Sequence, residues 1–177
     1  MIWIKIIALL IFVGLTNSLK GQTATTTLVD SLQFLESDTL DCSADIFWRI
    51  VAQRDNAVPF LIEKLTDLSP TRIKDPCKAT PLNVSEVAYY ALRQIADFPL
   101  YLVAEMQFDS FDGNGCTGFH RWYFFSDSLA PKQEFKDKVK NWWSKNRLKY
   151  KWVEIPKERL TPCQKVAGIH GRYKWTG

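Results

Sequence analysis

Apolar residues recur at helical spacing in four segments of the chain. The segments are CSADIFWRIVAQRD (42–55), NAVPFLIEKLTDL (56–68), NVSEVAYYALRQIAD (83–97) and PKQEFKDKVKNWWSKNR (131–147). Spacing of this kind predicts a helix with one buried face. Pro59 falls in the first turn of the second segment, where its missing amide is tolerated. Asn83 and Glu86 resemble a capping box, with Asn in the usual Ser or Thr place, so we expect a helix to begin there.

Two further segments carry weaker helical signals, and two short ones favour strands. LVDSLQFLES (28–37) repeats leucine at helical spacing, whereas PLYLVAEMQF (99–108) is apolar on almost every side, as in a buried helix, although its length also fits a strand. RWYFF (121–125) and YKWVEI (150–155) are rich in strand formers, so we expect them to pair as a minor two-stranded β ribbon. The predicted fold class is mainly α, a small bundle of about five or six helices.

One helix pair resembles a known repeat family. AVPFLIEKLTDLSP (57–70), followed after a gap by VSEVAYYALRQIAD (84–97), is similar to one HEAT-type repeat. The proline, the leucines and Asp67 match its first helix, and the small apolar series Ala88, Ala91, Leu92 and Ile95 matches its second. The turn between the helices is enlarged, and no second copy follows at the spacing that a solenoid of about three repeats requires. The resemblance implies a HEAT-like helical domain over 22–155 that acts as a binding scaffold.

The start of the chain predicts export. Residues 1–21 combine a positive charge at Lys5, an apolar run over 6–15 and small polar residues before Gly21, which is the pattern of a signal peptide cleaved near Gly21–Gln22. An uncleaved membrane anchor is the alternative, but the run is shorter than a comfortable span of about 20 residues. The expected location is periplasmic or extracellular, with no later membrane span.

All four cysteines lie after the signal segment, and in an exported chain an even number favours two disulfides. If successive helices are antiparallel, Cys42, Cys77 and Cys116 reach the same end of the bundle, and Cys163 approaches from the C-terminal tail. Three pairings remain open. We prefer Cys77–Cys116, which joins the long loops 69–82 and 108–130, together with Cys42–Cys163.

Charge is divided unevenly along the chain. Residues 22–130 hold 8 basic and 15 acidic side chains, a net charge of −7, whereas residues 131–177 hold 13 and 4, a net charge of +9. The basic end either lies against the acidic body or forms a patch for an anionic partner. The tail 156–177 shows no usable period. Two tetrads, KYKW (149–152) and RYKW (172–175), make Lys151, Trp152, Tyr173, Lys174 and Trp175 candidate binding residues for a polysaccharide.

The stretch FDSFDGNGCTGFHRWYFF (108–125) concentrates the candidate chemistry. No frame of an EF-hand places carboxylates at both its first and last positions, so Asp112-Gly-Asn-Gly is better explained as a turn. A zinc site from Cys116, His120, Cys163 and His170, or a Cys116–His120 dyad, would require reduced cysteines. Asp109, Asp112 and His120 are candidate binding residues on a tethered loop.

These patterns favour a non-enzymatic binding or scaffold domain for a protein or an anionic or polysaccharide component of the envelope. No sequence signal calls for a cofactor, a metal or a nucleic-acid partner. The alternative is a small hydrolase that uses the acids of the 105–112 segment together with His120.

Overall fold

The computed structural model describes residues 23–105, 116–125 and 128–177. Its α-helices are α1 (23–30), α2 (Asp45–Ala52), α3 (Val58–Lys64), α4 (Val84–Ile95), α5 (Leu100–Ala104), α6 (Phe119–Phe124), α7 (Leu129–Asn146) and α8 (Pro162–Val166). Its strands are β1 (Ala96–Asp97), β2 (Tyr150–Glu154) and β3 (Gly171–Trp175). Short 3₁₀ turns occupy Ser31–Phe34, Arg54–Asn56, Arg147–Lys149 and Lys157–Arg159. The fold is mainly α, as predicted.

Helix α4 lies at the centre of the core and contacts α2 and α3. Its first turn carries the predicted capping box: the Asn83 side chain accepts from the Glu86 amide, and the Glu86 carboxylate accepts from the Asn83 amide at 2.9 Å. Tyr89 packs among the aromatic rings of Phe119, Tyr123, Phe124 and Phe135, which come from α6 and α7. The apolar face read from the sequence of α4 is therefore buried on several sides.

The β structure differs from the predicted ribbon. The segment RWYFF lies mostly in helix α6, because Phe119, Tyr123 and Phe124 fall on one face that enters the aromatic core. The prediction that this segment pairs with residues 150–155 was therefore wrong. Strand β2 pairs instead with β3 in antiparallel fashion, and β3 pairs with β1 in parallel, giving a three-stranded sheet in the order β1-β3-β2. Residues 156–177, which lacked a usable period, supply both α8 and β3.

Two disulfides join distant parts of the chain, and they are the preferred pairs. Cys42–Cys163 links the residues before α2 to α8, and Cys77–Cys116 links the 69–82 loop to the residues before α6. Each bridge closes a long loop and so restricts the unfolded chain. The predicted signal peptide, residues 1–21, and the candidate residues Asp109 and Asp112 lie outside the described residues.

Candidate functional site

A histidine–aspartate pair lies beside the Cys77–Cys116 disulfide. His120 in α6 places Nε2 3.2 Å from Oδ2 of Asp75, which belongs to the 69–82 loop. The other oxygen of Asp75 accepts the Cys77 amide at 2.6 Å, so the carboxylate is held by the residue that forms the disulfide. The Asp75 side chain is 0% exposed and that of His120 is 13% exposed. The pair is therefore fixed in place and largely shielded from solvent.

The ring of His120 stacks on Phe124, with centroids 4.2 Å apart and an angle of 12° between the planes. Its Nδ1 is buried and has no hydrogen-bond partner among the described residues. A histidine held in this way by a carboxylate can act as a base, or its nitrogen can bind a metal. Cys116 is disulfide-bonded and cannot act as a thiolate beside it. The hydrolase alternative uses the acids of the 105–112 segment with His120, and it stays a prediction, because Asp109 and Asp112 lie outside the described residues.

A cavity of about 270 Å³ opens next to this pair, between α2, α4 and the 69–82 loop. Trp48 and Tyr90 contribute aromatic walls, while Gln94 and Asp75 supply polar atoms. Burial, followed by the nearby negative charge of Asp75, raises the pKa of Tyr90 above its usual value, so its phenol stays protonated at neutral pH. The cavity is mainly apolar with a few polar groups, as ligand pockets commonly are.

A buried group of charges surrounds Glu86 in the first turn of α4. Lys132 is 0% exposed, and its Nζ lies 3.2 Å from Glu86, 3.0 Å from the carbonyl oxygen of Tyr123 and 4.3 Å from the centroid of the Tyr123 ring. Lys78 reaches the second oxygen of Glu86 at 2.7 Å. Each charge has an opposite partner, and Glu86 also caps α4. We therefore assign this cluster a structural role.

The sheet places the aromatic residues of the two basic–aromatic tetrads on one face and Lys151, Arg172 and Lys174 on the other. Trp152 lies opposite Tyr173, and Tyr150 lies opposite Trp175. This face turns inward: the guanidinium of Arg54 lies 4.2 Å above the Trp152 ring, and Tyr173 donates to Asp55 at 3.0 Å. Trp175 packs on Trp142 with ring centroids 5.3 Å apart. The aromatic rings of the tetrads therefore serve mainly to dock the sheet on the helices.

The lysines of the tetrads lie on the opposite, solvent-facing side of the sheet. Lys151 and Lys174 are directly opposite each other on β2 and β3, and both are exposed. Neither has an acidic partner within 4 Å among the described residues, whereas the neighbouring Arg172 pairs with Asp97 at 3.6 Å. We call Lys151, Arg172 and Lys174 the outer basic face.

The lysines of α7 are used differently. Lys136 and Lys140 both pair with Glu63 of α3, whereas Lys138 lies 2.9 Å from Glu134 of its own helix and 3.8 Å from Glu105. Much of the basic end therefore lies against the acidic body, which was one of the two explanations of the charge division. Lys151 and Lys174 keep their positive charges exposed, as do Lys145, Lys149, Lys157 and Lys165 in other parts of the described chain.

Asp75, Lys132 and the ion-pair role of Glu86 were not predicted from the sequence. Asp75 stands two residues before Cys77 in the same loop, and the predicted Cys77–Cys116 bridge could have placed it near His120. Lys132 carried no such signal, because a lysine on an amphipathic helix is usually solvated.

Comparison of the chain with known protein families, with curated proteins and with solved structures gives no match. The HEAT-like resemblance is not tested by this result and stays a prediction. The two disulfides indicate that the folded chain works in an oxidising environment. Within the described ranges, no helix has both the length and the apolar character needed to span a bilayer.

Proposed function

We propose that this chain is an exported, non-enzymatic domain that binds an anionic polysaccharide of the cell envelope through its outer basic face. The observation that carries the proposal is the direct opposition of Lys151 and Lys174 across two paired strands. Like charges directly opposite each other repel, although Asp97 of β1 lies opposite Lys174 on the other side of β3. A polyanion lying across the strands would relieve that repulsion. Export is supported by the signal pattern of residues 1–21 and by the two disulfides.

Two features of the fold favour recognition on this face. The inner side of the sheet is docked on the helices through Trp152, Tyr173 and Trp175, so the lysines project from a supported surface. Strand β3 follows α8, which is bonded to the start of α2 through Cys42–Cys163. A preorganised surface loses little conformational freedom on binding.

The positive charges of the outer basic face are spread over two adjacent strands, so that an extended polyanion could contact several of them. Lys151 and Lys174 lie on adjacent strands. Arg172 precedes Lys174 by two residues and lies on the same side of β3. Val153 is exposed and lies directly opposite Arg172, where it provides an apolar contact for a sugar ring. Among anionic glycans, the ligand class to be tested is a carboxylated one.

The test compares binding to a carboxylated polysaccharide, such as polygalacturonate, with binding to an uncharged polysaccharide of similar length. The test variant is K151A/K174A, and the matched control is K157A/K165A, which removes two exposed lysines outside the sheet. If each lost ion pair contributes about 0.5–1 kcal/mol, the test variant should bind about fivefold to thirtyfold more weakly. Binding by the native protein should also weaken as salt rises.

Equal losses in both double variants would show that binding depends only on net charge and would refute the role of this face. Equal retention of the charged and uncharged polymers would refute the anionic ligand class. Circular dichroism of each variant checks that the sheet and helices remain folded.

A further inference from the structure

The geometry points to a second, latent site: when the Cys77–Cys116 disulfide is reduced, we propose that Cys77, Cys116, His120 and Asp75 bind a zinc ion. This inference is independent of the polysaccharide site. It concerns the corner where the 69–82 loop meets α6, away from the residues of the outer basic face.

The side-chain atoms that would bind zinc already lie close to one another. A carboxylate oxygen of Asp75, Sγ of Cys77 and a ring nitrogen of His120 all lie within 4.8 Å of one another. Tetrahedral zinc with bonds of about 2.0–2.3 Å places neighbouring ligand atoms about 3.3–3.8 Å apart. The three atoms therefore need to approach by at most about 1–1.5 Å. Cys116 is already bonded to Cys77 and supplies the fourth ligand once the two sulfur atoms separate.

Neighbouring groups already hold the candidate ligands in place. Metal-binding carboxylates and histidines are usually held by further partners, which fix their orientation. Here the Cys77 amide donates to Asp75, and Phe124 supports the imidazole ring from one face. The buried Nδ1 of His120, which lacks a hydrogen-bond partner among the described residues, leaves the ring with unused capacity to bind. Two sulfurs, one nitrogen and one carboxylate oxygen form a donor set suited to zinc.

The chemistry balances with a dithiol reductant. The dithiol gives two electrons and two protons to the Cys77–Cys116 bond and becomes a disulfide itself, leaving two cysteine thiols in this protein. Zinc then binds the two thiolates, and their two protons pass to solvent. The same sulfur atoms cannot be bonded to each other and ligate the metal in this way. The oxidised and zinc-bound forms are therefore alternative ways to hold the 69–82 loop against α6.

The other disulfide provides a contrast within the same chain. Among the described residues that line the pocket beside Cys42–Cys163, Asp45 of α2 is a potential ligand and none is a histidine. Among the described residues, Asp75, Cys77 and His120 form the single group of three or more potential ligands that meets this distance requirement.

The experiment uses Co²⁺ as a spectroscopic substitute for zinc in the full chain after reduction by a phosphine. Bound tetrahedral cobalt with thiolate ligands gives a sulfur-to-metal charge-transfer band and visible d–d bands. We expect both in the native sequence, and we expect Zn²⁺ to displace the cobalt. C77S/C116S should show neither band, although it retains Cys42 and Cys163. H120A and D75N should weaken cobalt binding at least tenfold.

H170A is the matched control for H120A, because His170 is exposed and lies outside this corner. It should bind cobalt like the native sequence. Absence of the bands in the reduced native protein, or bands that are unchanged in H120A, would overturn the proposal. Persistence of the bands in C77S/C116S would assign the metal to the other cysteines and overturn it as well. Circular dichroism of the oxidised variants confirms that each one folds before reduction.

Discussion

Replacing the buried Lys132 by methionine should destabilise the fold strongly. Methionine nearly matches the lysine stem in volume, so the change removes the charge and leaves little cavity. The variant loses the ion pair with Glu86, the hydrogen bond to the Tyr123 carbonyl and the contact with the Tyr123 ring. Breaking a buried ion pair on one side costs about 3–5 kcal/mol. Glu86 keeps Lys78 at 2.7 Å and the Asn83 amide at 2.9 Å, so we expect about 3 kcal/mol, the lower end of the range.

The assay is urea unfolding with both disulfides intact, followed by tryptophan fluorescence. In a domain of this size, the expected loss corresponds to a fall of about 6–12 °C in Tm. Lys136→Met is the matched control on the same helix. Its partner Glu63 is half-exposed and keeps Lys140, so the free energy of unfolding should change by less than about 1 kcal/mol. A loss below 1 kcal/mol in Lys132→Met, or an equal loss in both variants, would refute a stabilising role for the buried pair.

Two other predictions concern single side chains. Gly171→Ala should lower the free energy of unfolding by about 1–3 kcal/mol, because its Cβ would lie 2.6 Å from the Trp152 ring and from the Val153 carbonyl oxygen. Thermal unfolding of the variant measures this loss. A Tm equal to that of the native protein would contradict the prediction. For Asp67, burial opposes ionisation, but hydrogen bonds from Ser69 and the charge of Lys64 leave its pKa below the ordinary value. The stability that it provides is thus present above the unfolded pKa of 3.8 and is lost as pH falls through the lower folded pKa. Asp67→Asn should therefore be less stable than the native protein at pH 7, and the difference should be smaller at pH 3. A gap of the same size at both pH values would contradict this.

The sequence predicts the helices well where local signals and tertiary packing agree. Helix α4 begins at its capping box and buries the apolar face that its spacing indicates. The segment 121–125 shows the opposite case. Its aromatic composition favours a strand, but burial of Phe119, Tyr123 and Phe124 against α4 and α7 stabilises a helix. Propensity over five residues is a weak preference, and the core overrides it.

The candidate site is less predictable, because its parts are distant in the chain. His120 was identified from the sequence, but its partner Asp75 lies 45 residues away in a loop. Only the fold brings the two together, with the Cys77–Cys116 bridge holding one side of the contact. The same limit applies to Lys132 and Glu86, which are 46 residues apart.

The basic–aromatic tetrads show how secondary structure decides which side chains of a motif share a surface. The composition of KYKW and RYKW suggests a single surface on which aromatic rings and lysines bind a ligand together. In a strand, successive side chains point to opposite faces, so a lysine next to a tryptophan cannot share its face. The register of β2 and β3 places Trp152 with Tyr173 on the docked side and Lys151 with Lys174 on the outer side. Substituting Trp152 should therefore reduce stability first and ligand binding only as a consequence, whereas substituting the lysines should reduce binding in a protein that remains folded.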